Sequence, residues 1–247
     1  MADSQTHPLL AIPLTGVLCF VAGSIDVIAY LVFGKIFIAN MTGNTVLFAA
    51  SLVQHNWPEA ALRIGVVLSF LFGIFVARAG LRRWAINQDR PTRLVALTIE
   101  FVLLVALALL PQPYTARVGL LVLLAFAVGV QNDAFRNIGG IRVNTSFITG
   151  DLENLGAALA SSNDPAQRSL ARRKVAVFFT TWIAYGIGAL LGAFGALHFA
   201  EKALWIPAAL VIVAAIIVLL SPPDPTGPPL SIANSQVRRA GIGEWID

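Results

Sequence analysis

The stretch Phe37-Ile38-Ala39-Asn40-Met41-Thr42-Gly43-Asn44-Thr45 decides how the rest of the chain is read. It lies within apolar sequence, yet it gathers two amides and two hydroxyls around one glycine. A related stretch returns as Asn144-Thr145-Ser146-Phe147-Ile148-Thr149-Gly150-Asp151. In both, an acid precedes the Thr-Gly pair by 16 residues: Asp26 stands before Thr42, and Asp133 before Thr149.

The surroundings identify the solvent. Of 247 residues, 57% are hydrophobic and only 12% charged, with a mean hydropathy of +0.78. A soluble domain carries about 25% charged residues. So few charges cannot cover a globule with polar surface, so the chain is expected to sit in lipid. The net charge of +4 does not indicate nucleic acid. Its bases cluster between apolar runs, at Arg78, Arg82, Arg83, Arg90 and Arg93 and again at Arg168, Arg172, Arg173 and Lys174, which is the pattern of cytoplasmic loops. Cys19 is the single cysteine. It excludes an intrachain disulfide and reads as a small packing residue. The first apolar run is longer than a signal-peptide core and has no clear cleavage site, so it reads as a retained span.

A spanning helix needs about 20 apolar residues. Eight segments meet or approach this: 9–33, 36–53, 62–81, 94–110, 118–134, 138–160, 175–199 and 204–220. The proline-rich, basic tail 221–247 is expected to be disordered. Residues 1–220 thus read as one transmembrane domain. Segments one to four (repeat 9–111) and five to eight (repeat 117–220) form the same series. The motifs match at an offset of 107 residues, and Gly73 then matches Gly186 at 113. If all eight segments crossed, the basic loops at Arg78–Arg93 and Arg168–Lys174 would lie on opposite sides, against the charge rule. If segment six does not cross, they share a side, and by repeat symmetry segment two should not cross either. The expected fold is therefore all-α: a polytopic helical bundle of two inverted repeats, each with a broken, re-entrant Thr-Gly segment, and with both termini cytoplasmic. A crossing segment two, giving seven spans, also satisfies the charge rule.

Irregular backbone at membrane depth persists only when buried in protein or lining a wet cavity. Gly43 and Gly150 can supply the break. Thr42 or Asn44, and Thr149 or Asp151, can cap the helices that follow. Capped half-helix starts hold anionic groups in broken-helix transporters; the plainer alternative is close helix packing by small residues. Asp26, deep in segment one, and Asp133, flanked by Gln131 and Asn132, are candidate pathway or proton-coupling acids; Arg136 is an alternative partner for Asp133. Glu100, inside segment four, is a third such acid. Asp151 and Glu153 equally suit the dipole of a helix start. Arg142 would bind an anion or snorkel to the interface. No His-Glu-x-x-His pattern, nucleophile elbow or phosphate loop is present, so no catalytic residue, metal ligand or cofactor is assigned.

The runs Gly23-Ser24-Ile25-Asp26 and Phe37 to Thr45 resemble the signature of the YoaK-like bacterial membrane proteins, a family of unknown function. The second motif departs from the first in carrying Asp151 where the first has Asn44. The resemblance implies a bacterial multi-spanning protein with about six spans, and it supplies no substrate. The expectation is a cell-membrane protein that transports a small solute, as a secondary transporter or channel, with proton or cation coupling; homo-oligomerisation is compatible with it. The alternatives are a non-transporting scaffold or sensor, and an intramembrane enzyme using paired carboxylates.

Overall fold

The computed structural model describes residues 8–81, 89–109, 114–138, 141–144, 148–161 and 168–221. The tail from 222, the bases Arg82 and Arg83, and the motif residues Thr145, Ser146 and Phe147 lie outside the described residues.

The elements are α1 (Pro8–Val32), α2 (Met41–Val53), α3 (Trp57–Val76) running on into a π-helical turn (Ala77–Leu81), α4 (Asp89–Leu109) and α5 (Tyr114–Ala134). A two-residue arm follows, β1 (Asn137–Ile138) paired antiparallel with β2 (Ile141–Arg142). Then come α6 (Ile148–Ser161), α7 (Arg168–Phe199), a 3-10 turn (Ala200–Leu204) and α8 (Trp205–Leu220).

Among the described residues, five helical stretches are long and apolar enough to cross a membrane: Ile12–Val32, Trp57–Gly80, Arg90–Leu109, Thr115–Ala134 and Arg168–Leu220. The last, 53 residues long, is α7 and α8 joined through the 3-10 turn. At 1.5 Å per residue, the 13 residues of α2 and the 14 of α6 reach only about 20 Å, short of the roughly 30 Å hydrocarbon core.

Several helix starts shift by four or five residues from the sequence reading (α2 begins at Met41, α3 at Trp57, α4 at Asp89 and α5 at Tyr114), and two segments differ more. A single segment was expected over 138–160, but a hairpin arm precedes a helix that begins at Ile148. The arm is rich in β-branched residues (Ile138, Ile141, Val143), and Gly139-Gly140 in the sequence opposes helix. Helix α7 begins seven residues before the expected 175, taking in Arg168, Arg172, Arg173 and Lys174. Long basic stems continue a helix well while their charges reach water.

Small residues set how the helices meet. On α1 and α7 the contacts advance together. Gly16 lies against Thr180, Gly23 against Tyr185 and Ala189, and Gly192 against Ser24, so the two helices run parallel. The Ser24 hydroxyl donates to the Gly188 carbonyl at 3.0 Å. A Cβ on Gly23 would strike the Tyr185 carbonyl, and one on Gly188 the Phe20 carbonyl. Helices α3 and α5 repeat this arrangement. A Cβ on Gly73 would strike the Phe126 carbonyl, and one on Gly129 the Phe70 carbonyl. Ser69 donates to the Val122 carbonyl at 2.7 Å. The glycine of α7 in this role is Gly188, while Gly186 faces open space. Helix α4 starts where α8 ends: Arg90 donates to the carbonyls of Val218 (3.2 Å), Leu219 and Ser221 (2.8 Å), so these two are antiparallel. Bulky apolar side chains such as Phe75, Leu190 and Leu197 stand outward, as on a bundle solvated by lipid.

Candidate functional site

The first motif folds back beside α1. Gly34 (φ +101°) and Lys35 (φ +56°) turn the chain by left-handed backbone, which glycine adopts freely and lysine only under constraint. The chain then descends to the level of Asp26. One carboxylate oxygen of Asp26 accepts the backbone N–H groups of Ile38 (2.7 Å), Ala39 (2.6 Å) and Asn40 (3.4 Å). The other accepts the Tyr185 hydroxyl from α7 at 2.6 Å. Asp26 is six residues before the end of α1, about 9 Å along the axis. Helix α2 therefore starts well below the end of α1.

Its start is capped from within. The Asn40 Oδ1 accepts Gly43 N–H at 3.0 Å. Asn44, fully buried, clasps Phe37: its Oδ1 accepts Phe37 N–H at 2.9 Å, and its Nδ2 donates to the Phe37 carbonyl at 2.6 Å. The Phe37 ring covers Gly43, where a Cβ would collide with it, and stacks on Tyr30 at 5.2 Å. Thr42 is exposed. Helix α2 then packs on α3, where Arg63 donates to the Leu47 carbonyl and to Ser51 and pairs with Glu59 at 2.7 Å.

The second motif has a related geometry. Asp151 Oδ1 accepts the backbone N–H of Asn144 at 3.5 Å, across the same seven-residue separation as Asn44 and Phe37. Asp151 is fully buried. Burial pushes its carboxyl up to about 7, and the Asn144 amide and Thr181 hydroxyl offset part of that rise. Cys19 of α1 lies within electrostatic reach of Asp151. Thr149 is exposed and Gly150 half-buried. Helix α6 packs on α7. Both motifs thus lean on the α1/α7 pair, one at the level of Asp26 and Tyr185, the other at Cys19 and Thr181. The seven residues from Cys19 to Asp26 separate these levels by about 10 Å.

Asp133 accepts the Arg78 Nε at 2.7 Å, with Arg78 half exposed and Asp133 buried. Glu100 and Gln131, both buried, meet across α4 and α5 through a short Nε2–Oε2 hydrogen bond. The other Glu100 oxygen and the Asn132 Oδ1 are buried without a partner among the described residues. Arg142 is exposed and lines a cavity between α6 and α7. Among the described residues, no three His, Cys, Asp or Glu side chains converge as a metal site. Tyr185 and Thr181 escaped sequence reasoning, and Gln131, read only as polarity beside Asp133, reaches Glu100 instead. The one available signal, Gly188-x-x-x-Gly192, marks a close helix contact and so the face on which Tyr185 and Thr181 lie.

Long apolar helices that turn carboxylates, amides and glycines inward define a multi-pass α-helical membrane protein. The chain belongs to the family described as "Protein of unknown function (DUF1275)", which matches residues 14–217. It is similar to the UPF0700 transmembrane protein YoaK of Bacillus subtilis (strain 168), with 28% identity over 203 residues covering 80% of this chain and 89% of that protein. No solved structure matches it.

Proposed function

We propose that this protein is a secondary transporter or channel for a small solute, built from two inverted halves whose broken segments are α2 and α6. One observation carries the reading: the start of α2 is held inside the bundle by the Asp26 carboxylate, about 9 Å below the end of α1. Broken backbone at such depth belongs to buried or cavity-lining sites, and half-helix starts bring positive dipole ends to a substrate. The solute site would lie between the two starts, with Asn40, Thr42, Gly43 and Asn44 from one side and Thr149, Gly150 and Asp151 from the other.

Helix directions support the inverted arrangement. Parallel α1 and α7 and antiparallel α4 and α8 are both met by six crossings, with α2 and α6 dipping in and out. Seven crossings would oppose α1 to α7, and eight would align α4 with α8. Six crossings also put Arg78, Arg90, Arg142 and Arg168–Lys174 on one face with residues 8 and 221, which favours a cytoplasmic location for both ends. For coupling, Asp26 and Asp133 hold the loop and Arg78 respectively. Glu100 and Asp151 each keep a buried oxygen without a hydrogen-bond partner among the described residues, which suits them better to proton exchange.

A second reading, a membrane scaffold or sensor, is favoured by the way Asn44 and Phe37 satisfy each other. A thermal-shift screen of solutes on the purified protein separates the two, since a ligand of the folded state raises its melting point. Hits are then carried into proteoliposomes under a pH gradient. Transport predicts a stabilising solute whose flux follows; a broad panel with no stabilising solute leaves the scaffold.

A further inference from the structure

A cavity of about 590 Å³ opens between α6 and α7, with Ile141 and Arg142 of the hairpin arm in its lining. Its size is that of a small-molecule pocket. One face of α6 contributes Asn154 and Ser161, one face of α7 contributes Lys174 and Phe178, β2 brings Arg142, and Arg136 comes from the link between α5 and β1. Three cations thus converge on one space. None of the three pairs with an acid among the described residues, and neither acid of α6, Asp151 or Glu153, is in the lining.

We propose that this cavity binds an organic phosphate. Three positive charges suit the several oxygens of a phosphate group better than a single carboxylate. The guanidinium forks of Arg136 and Arg142 suit a tetrahedral oxyanion, while Lys174 acts as a point charge. Asn144, Asn154 and Ser161 add neutral polar groups. Ile141, Leu170 and Phe178 add apolar lining from β2 and α7, and this fits the organic part of a phosphate ester. The same chemistry is presented by an anionic lipid headgroup and by a water-soluble phosphate ester. The inference rests on the cavity alone and is independent of the transport reading above.

The test uses the full chain in phosphatidylcholine nanodiscs, with and without phosphatidylglycerol, and titrates glycerol 3-phosphate and inorganic phosphate by thermal shift. Wild type is expected to be stabilised by one source or both, and increasingly so as salt is lowered. Stabilisation by glycerol 3-phosphate assigns a soluble ligand; stabilisation by phosphatidylglycerol alone assigns a lipid headgroup. Arg142→Gln and Lys174→Gln should each weaken binding by about tenfold, with melting in phosphatidylcholine unchanged because both side chains are exposed. Lys174→Arg should retain binding, and Lys202→Gln, in the 3-10 turn, should behave as wild type. The proposal is overturned if no phosphate source stabilises wild type, or if the Arg142→Gln and Lys174→Gln proteins respond as wild type does.

Discussion

Asp26 and Tyr185 are joined by a 2.6 Å hydrogen bond across 159 residues of sequence. The bond fastens the loop before α2 to α7, because the same carboxylate holds the amides of Ile38 and Ala39. Asp26→Ala would strand these buried donors, at a cost of about 1–3 kcal/mol for each group left unsatisfied, and should largely prevent folding. Tyr185→Phe removes one donor and should cost about 1–2 kcal/mol. A double-mutant cycle of Asp26→Asn with Tyr185→Phe, read by thermal unfolding in detergent, should show coupling; strictly additive losses would contradict a direct bond.

The glycine contacts predict opposite outcomes for similar changes. Gly23→Ala, Gly188→Ala, Gly73→Ala and Gly129→Ala each drive a methyl into a facing backbone carbonyl, so each should lower stability by at least the 1–3 kcal/mol typical of overpacking. Gly186→Ala and Gly65→Ala meet nothing within 4 Å and should be neutral, or stabilising by up to about 1 kcal/mol through helix propensity. Melting temperatures of the six variants decide it; equal losses at Gly186 and Gly188 would refute the packing.

Asp151 gives the protein a pH-dependent cost. Its folded carboxyl is raised from the usual 3.8 to about 7 by burial. The favourable state is the protonated one, so the contribution is full below about 4 and is lost as pH rises through about 7. Asp151→Asn places at this site the residue found at position 44 in the first motif. Its melting point should exceed that of wild type at pH 8, and the gap should close towards pH 4. A gap independent of pH would exclude Asp151 as the titrating group.

Cysteine accessibility tests the inverted arrangement. The native Cys19 is fully buried and should stay silent to a membrane-impermeant maleimide. Lys35→Cys and His55→Cys, which flank α2, should label from the outside of intact cells. Ser161→Cys and Lys174→Cys should label only after the membrane is opened. Lys35 and His55 reacting from opposite sides would mean that α2 crosses.

The sequence made the membrane class legible because composition and run length alone report it. The repeated 16-residue spacing also set Asp26 beside the Thr-Gly stretch as a pair, and the fold joins them through the amides of Ile38, Ala39 and Asn40. Partners brought in by tertiary packing were hidden. Tyr185 reaches Asp26 because Gly188 and Gly192 let α7 approach α1, and which of several glycines faces a neighbour depends on helix rotation, so the match of Gly73 to Gly186 falls two residues short of Gly188, which makes the contact. The hairpin arm was missed because Ile138, Ile141 and Val143 suit a strand or an apolar helix equally well. The basic cavity was missed because Arg136, Arg142 and Lys174 come from separate elements.

The pairing of α1 with α7 and α8, and of α3 with α5, sets a timetable for synthesis. A ribosome adding about 5–20 residues per second finishes Asp26 roughly ten to thirty seconds before it makes Tyr185. Throughout that interval the first helix sits in the membrane without its main neighbour, its carboxylate held only by its own loop. Neither half of the polypeptide would be a self-sufficient folding unit, and two halves expressed as separate chains should be degraded singly and rescue one another when made together.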